Sequence, residues 1–184
     1  DGRFDVALFV GYHARAGHPI GTIAHTYTGG PTLTTLGGRP VGEYGINGLY
    51  LGALGVPVGM VAGDDALAAE VADWLPWAER VVVKRAVSRG AADSVHPSVA
   101  RGLVAAASQR AVERAAAGEL EVLTLSVPIS VGIEFRHGGQ ADFAAVIPGF
   151  VREGDRGVRY EARDGIEAYR AFVAAVRIAG LADD

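Results

Sequence analysis

Short apolar runs alternate with segments of helical character along almost the whole chain, and this alternation limits the folds open to it. The apolar runs lie at residues 4–10, 56–62, 80–86, 129–135 and 158–162. The segments of helical character lie at residues 43–54, 65–74, 97–117, 140–146 and 165–179. Strands that alternate with helices pack as a sheet covered by helices, so the pattern predicts an α/β fold. We expect a mixed or largely parallel sheet with flanking helices, three-layer-like, in a single region spanning residues 1–184.

Small and acidic residues indicate how some of these elements begin, turn and pack. Gly37-Gly38 separates two short apolar runs, and a two-residue glycine turn in that position predicts a β-hairpin. Asp64 follows the second apolar run and is expected to cap the next helix by accepting a backbone N–H. The first helix contains three glycines, which are poor helix formers, so we expect it to pack closely on a neighbour. These glycines are Gly45, Gly48 and Gly52.

The composition argues against several classes of partner and metal site. The formal net charge is −4 and the pI is about 5.7, which argues against a surface that binds nucleic acid or anionic membranes. No apolar run reaches the length of a membrane-spanning helix. The chain contains no cysteine, so any transition metal must be held by histidine and carboxylate side chains. The lack of cysteine also fits a cytoplasmic protein.

A loop rich in histidine follows the first apolar run. It carries His13, His18 and His25, three of the five histidines in the chain. Open α/β sheets place their sites in loops at the carboxyl ends of strands, and imidazole is both a common metal ligand and a base near neutral pH. The sequence contains no local metal signature such as H-E-x-x-H, and on spacing alone a purely structural role is open to each polar residue of this region. His13 can form a hydrogen bond with the backbone, His25 can lie in an ordinary turn, and the Glu43 carboxylate can be stabilised by the dipole at the start of a helix.

Five blocks of sequence, in a fixed order, resemble the zinc-dependent D-aminopeptidase family, typified by the peptidase encoded with dipeptide-transport genes. They are G-Y-H-A-R-A at 11–16, His25, R-P-V-G-E at 39–43, V-A-G-D-D at 61–65 and V-K-x-x-x-S-R at 83–89. Five blocks in one order are much more specific than any single block. The similarity continues more loosely to the last helix and so covers nearly all of the chain.

The resemblance implies a metallo-aminopeptidase that releases N-terminal D-amino acids, typically D-alanine, from short peptides. It implies a site with two zinc ions, in which His13 and Glu43 are metal ligands. It assigns His25 directly to catalysis, as base or nucleophile, and it implies a homo-oligomer. Physical chemistry is compatible with these roles, because imidazole and carboxylate suit Zn²⁺ and a nearby histidine can transfer protons at neutral pH.

Asp64 and Arg89 are the candidate substrate-binding residues. Each follows a predicted strand, and the carboxyl ends of neighbouring parallel strands lie at one edge of a sheet. We therefore expect both residues to lie near the histidine-rich loop. Helix capping by Asp64 and an ion pair at Arg89 are the alternative roles.

The remaining ligands of the family are expected from motifs that this sequence does not contain. The resemblance implies an Asp-x-Glu-Gly motif on a first strand and a histidine in an Asn-Asp-x-His stretch, and neither occurs in residues 1–184. The chain thus resembles the C-terminal two thirds of such a protein, without its first strand or strands. Because two ligands rarely hold catalytic zinc, we expect this part by itself to bind zinc poorly and to be inactive.

Two other functions stay open at this point. One is a non-catalytic α/β module for binding or assembly that kept the scaffold. The other is a hydrolase of different small amides at the same site. The joint presence of His13, His25 and Glu43 favours a metalloenzyme over the module, because a scaffold alone needs none of the three.

Overall fold

The computed structural model describes residues 4–183 and has the α/β architecture that the sequence predicts. The strands are β1 (Ala7–Val10), β2 (Pro31–Leu36), β3 (Arg39–Pro40), β4 (Val58–Asp64), β5 (Glu79–Ser88), β6 (Ala91–Ser94), β7 (Ile129–Phe135), β8 (Val151–Glu153) and β9 (Gly157–Ala162). The α-helices are α1 (Glu43–Ala53), α2 (Asp65–Trp74), α3 (Pro97–Ala116), α4 (Gly138–Ala145) and α5 (Gly165–Ala179), and a 3₁₀ helix (Gly180–Asp183) follows. Within residues 4–183, none of the helices has both the length and the apolar character needed to cross a membrane.

Contacts between residues divide the chain into two compact units, each with a sheet of its own. The described part of the first unit comprises residues 4–14, 18–24 and 51–123. The described part of the second comprises residues 15–17, 25–50 and 124–183. That residues 1–184 form a single α/β region stays a prediction.

The first unit is built on a four-stranded mixed sheet in the order β1-β4-β5-β6. β1, β4 and β5 are parallel, and β6 runs antiparallel to β5. Every residue of β4 is buried, as expected of a central parallel strand that is covered on both faces. α2 packs on β4 and β5, and α3 packs on the same two strands through Ala107 and Ala111. These alanines belong to one buried cluster with Met60 and Val81.

The second unit is built on a five-stranded sheet in the order β3-β2-β7-β9-β8, in which every pair is antiparallel. β7 alternates buried and half-buried residues, the pattern of a strand with one face on a core. α4 and α5 pack on this sheet, and Phe172 and Val176 of α5 are buried. The β2–β3 hairpin confirms the predicted turn. Gly37 and Gly38 have φ of +56° and +78°, a region that glycine enters without steric cost.

Strand pairing and short edge strands go beyond what the sequence indicated. The mixed sheet with flanking helices is present, and a second, antiparallel sheet accompanies it. β6 and β8 were not expected, because their residues are mostly exposed and carry no apolar periodicity. Gly52 confirms the close packing expected of the first helix, since a Cβ there would overlap the carbonyl of Leu123.

Candidate metal centre

A glycine turn at the end of β1 leads the chain to His13. Gly11 has φ +79° and donates its N–H to the Ala62 carbonyl of β4 at 3.1 Å. His13 is buried, and its Nδ1 lies 3.0 Å from the carbonyl oxygen of Ala14. Because a carbonyl oxygen can only accept, this contact places a proton on Nδ1, which in a neutral imidazole leaves the lone pair on Nε2. A histidine that binds a metal through Nε2 commonly has this tautomer, fixed in this way.

Glu43 begins α1, where the positive end of the helix dipole favours a carboxylate. Its Oε1 accepts the backbone N–H of Tyr27 at 2.7 Å and lies 3.7 Å from Nε2 of His25. The side chains of His25 and Glu43 are 32 % and 19 % exposed. Both groups are therefore largely enclosed by protein while still open to a small ligand.

A tight turn at Tyr27 presents its N–H to Glu43. The N–H of Thr28 donates to the Thr26 carbonyl at 2.7 Å, and Tyr27 between them has φ +62°. A hydrogen bond from residue i+2 to residue i around a positive φ makes a γ-turn of the rarer, strained kind. The Thr26 hydroxyl is buried and accepts the N–H of Ala16 at 3.0 Å, which holds the start of the turn.

Sequence reasoning missed Tyr27. It lies between Thr26 and Thr28, and the turn signal of Gly29-Gly30-Pro31 begins two residues further on, so the local sequence does not mark Tyr27 itself. Its N–H belongs to the main chain, which every residue but proline carries. A bond between this main-chain group and a side chain 16 residues later follows no local periodicity. A non-glycine residue with positive φ beside a carboxylate is a structural signal of a functional site, and it is visible only after folding.

The structure brings His13, His25 and Glu43 together. Each offers one ligand atom, and these atoms all lie within 4.8 Å of one another. Zinc binds imidazole nitrogen and carboxylate oxygen at about 2.0–2.2 Å, so two atoms on one ion lie at most about 4.4 Å apart. The observed spread suits zinc after small side-chain rotations, or a donor set divided over two ions. Among residues 4–183, no second group of three or more histidine or carboxylate side chains is arranged to hold a metal ion.

Asp64 has a structural role that its contacts explain. It is fully buried and caps α2, since its Oδ1 accepts the N–H of Leu67 at 2.8 Å. Its Oδ2 accepts the N–H of Thr22 at 2.8 Å, which ties the histidine-rich loop to β4. The predicted cap is confirmed, and binding of substrate by Asp64 stays a prediction.

Arg89 follows β5 as expected and is exposed. Its carbonyl oxygen accepts the N–H of Ile23 at 2.8 Å, so the main chain of Arg89 holds the histidine-rich loop from a second side. Ile23 has φ +50°, an unusual conformation for a β-branched residue. Binding of substrate by the Arg89 guanidinium stays a prediction.

Comparison with known proteins decides the family. A family model described as D-aminopeptidase matches residues 1–174, which is most of the chain. The chain belongs to the D-aminopeptidase family. The family expected from the five sequence blocks is therefore confirmed.

Two relatives within this family show how far the likeness extends. The D-aminopeptidase of Bacillus subtilis is 36 % identical over 180 residues, which cover 97 % of this chain and 65 % of that protein. The solved structure of the Zn-dependent D-aminopeptidase DppA from Bacillus subtilis, a self-compartmentalizing protease, matches with a TM-score of 0.88 and 34 % identity. That match covers 98 % of this chain and 66 % of the other. The chain thus has the fold of this D-aminopeptidase and spans about two thirds of the length of both relatives.

Proposed function

We propose that this chain provides part of a zinc-dependent aminopeptidase that hydrolyses short peptides with an N-terminal D-amino acid, D-alanine above all. The observation that carries the proposal is the cluster of His13, His25 and Glu43, whose ligand atoms lie within 4.8 Å of one another in a member of the D-aminopeptidase family. His13 and Glu43 supply an imidazole and a carboxylate, which are donors that suit zinc, and His25 adds a second imidazole beside them that can transfer protons.

His13 and Glu43 are the proposed metal ligands, in a site with two zinc ions. Hydrogen bonds fix both side chains, His13 through the Ala14 carbonyl and Glu43 through the Tyr27 N–H. Partners of this kind orient ligands before the metal arrives. When bound, zinc supplies Lewis-acid polarisation of the scissile carbonyl and activation of water.

His25 is the proposed catalytic residue, as base or nucleophile. Its Nε2 lies 3.7 Å from Glu43 Oε1, close to the proposed ligands and partly open to solvent. As a base, the imidazole takes a proton from the attacking water while the new C–O bond forms. The same proton then passes to the leaving nitrogen as the peptide C–N bond breaks, which releases the shortened peptide as an amine.

We also propose a homo-oligomeric, cytoplasmic protein in which Asp64 and Arg89 contact the peptide. The relative of known structure is a self-compartmentalizing protease, which supports self-association in this family member. The formal charge of −4 gives no support to nucleic acid as a partner.

The test measures bound zinc and peptidase activity separately, in the full-length enzyme of which this chain is proposed to be part. His13→Ala and Glu43→Ala should each lower the zinc content, because each removes one bond to the metal. His25→Ala should keep nearly the wild-type zinc content and lose turnover of D-Ala-D-Ala by about 10²–10⁴-fold, the range typical of a general base. His96→Ala is the matched control, since it removes an exposed imidazole that caps α3.

Zinc content by atomic absorption and hydrolysis of D-Ala-D-Ala against L-Ala-L-Ala are the readouts. Normal cleavage of D-Ala-D-Ala by His25→Ala would refute the catalytic role proposed for His25. A folded full-length wild-type protein that binds no zinc and cleaves neither dipeptide would favour the non-catalytic module. Cleavage of the L-dipeptide in preference to the D-dipeptide would reject the proposed substrate class.

A further inference from the structure

We infer that Tyr27 is a positioning residue that holds the Glu43 carboxylate ready for the metal. Tyr27 contacts α1 at two points one turn apart. Its N–H donates to Oε1 of Glu43 at 2.7 Å, and its hydroxyl donates to Oδ1 of Asn47 at 2.5 Å. Residues four apart lie on the same face of a helix, so the main chain and the side chain of one tyrosine bind successive turns at the start of α1.

The side chain of Tyr27 holds the turn in its unusual conformation. A non-glycine residue at φ +62° persists only where its surroundings hold it there. The Tyr27 ring packs edge-on against Phe172 at a centroid distance of 5.2 Å and against Tyr169 at 6.5 Å, both from α5. Its hydroxyl bonds to Asn47. These contacts anchor the far end of the side chain, and the anchored side chain fixes the direction of the N–H.

Glu43 gains a defined orientation from this arrangement. A glutamate side chain has several rotatable bonds, and a free one samples many positions of its carboxylate. The bond from Tyr27 selects the position in which Oε1 lies 3.7 Å from His25. This inference rests on the proposed function, because it assigns the selected position to metal binding. Removal of partners that orient a metal ligand typically weakens metal affinity about 10–100-fold.

A merely structural role would give a different result from a positioning role. In the structural case, loss of the hydroxyl lowers the stability of the fold and leaves zinc affinity unchanged in the folded protein. In the positioning case, zinc affinity falls in protein that is still folded. Zinc affinity of folded protein is therefore the deciding measurement.

The experiment compares three variants with one control in the zinc-free full-length protein, titrated with Zn²⁺ in competition with a chromophoric chelator. Tyr27→Phe removes the donor and Asn47→Leu removes the acceptor of the same hydrogen bond. Each should raise the zinc Kd about 10-fold, the lower end of the range for orienting partners. The double variant should bind zinc no more weakly than Tyr27→Phe, because both changes delete the bond between Tyr27 and Asn47, and Tyr27→Phe alone also removes the longer contact, 3.4 Å, to the Tyr169 hydroxyl. Tyr50→Phe removes a hydroxyl from a ring that packs 4.5 Å from Tyr169 and should bind zinc as the wild type does.

Circular dichroism confirms that each variant is folded, and Asn47→Leu provides an independent route should Tyr27→Phe lose structure. Wild-type affinity in both single variants would overturn the positioning role and leave the proposed metal ligands standing. Equal losses in Tyr50→Phe would overturn it as well, because the effect would then belong to the aromatic cluster in general. A full-length wild-type protein that binds no zinc would overturn the proposed metal site and this inference with it.

Discussion

Asp64→Ala is expected to destabilise the protein more than removal of an ordinary helix cap. The buried carboxylate accepts two backbone N–H groups, from Leu67 and from Thr22, each at 2.8 Å. Asp164 offers a matched comparison, because it caps α5 at the surface and accepts one N–H, from Glu167 at 2.7 Å. The two aspartates thus share a capping role and differ in burial and in the second bond.

The size of the effect follows from these contacts. Loss of a helix cap costs about 1 kcal/mol, which is the whole effect expected for Asp164→Ala. Asp64→Ala also leaves the Thr22 N–H buried without its acceptor, at about 1–3 kcal/mol, so that its total is about 2–4 kcal/mol. In a chain of this size 1 kcal/mol lowers the Tm by about 2–4 °C. The Tm should therefore fall by about 4–16 °C for Asp64→Ala and about 2–4 °C for Asp164→Ala.

Thermal and urea unfolding, followed by circular dichroism, measure both variants. Equal free energies of unfolding for Asp64→Ala and Asp164→Ala would refute the reasoning. Hydrolysis of D-Ala-D-Ala by the full-length protein, at a temperature where both variants are folded, then separates the two roles of Asp64. An unchanged KM would leave Asp64 with the structural role alone, and a raised KM in Asp64→Ala alone would support contact with the peptide.

Two further predictions concern packing and pH. Gly52→Ala should destabilise the fold by about 1–3 kcal/mol, because its Cβ meets the Leu123 main chain, which cannot rotate away. Gly102→Ala, on an open helix face, should stabilise the fold by about 0.4–1 kcal/mol. Urea unfolding measures both variants, and equal effects would contradict the packing argument. The hydrogen bond from His137 lowers the pKa of Asp183, so this pair contributes stability above the ordinary carboxyl pKa of about 4 and loses it as the pH falls further. The Tm difference between wild type and Asp183→Asn should therefore shrink on acidification below about pH 4, and a constant difference down to pH 2 would contradict this.

Local signals allowed several elements to be predicted from the sequence with the bounds that the structure shows. β7 (Ile129–Phe135) and α5 (Gly165–Ala179) have the expected limits. β7 is an apolar run of strand length, and α5 has a sustained apolar face with Asp164 as its cap. The Gly37-Gly38 hairpin was equally accessible, because its turn chemistry lies in two adjacent residues.

What depends on distant partners could not be predicted in this way. Nothing in the runs that form β7 and β9 shows which strands they pair with, yet β7 pairs antiparallel with both β9 and β2 in the second unit. The candidate site shows the same division. The resemblance identified His13, His25 and Glu43, whereas the Tyr27 N–H that orients Glu43 follows from the fold.

The main-chain nature of the Tyr27 donor has a consequence for how this position tolerates change. Every residue except proline can supply the N–H, so a substitution scan at position 27 cannot delete the bond by truncating a side chain. Such a scan removes the ring and hydroxyl contacts of Tyr27, and the replacement residues then differ in how readily they hold a positive φ. Among replacements without those contacts, glycine would retain the turn best, while valine and isoleucine would open it. The tolerance profile of this site would then be the reverse of that of a strand position, where β-branched residues are favoured and glycine is not.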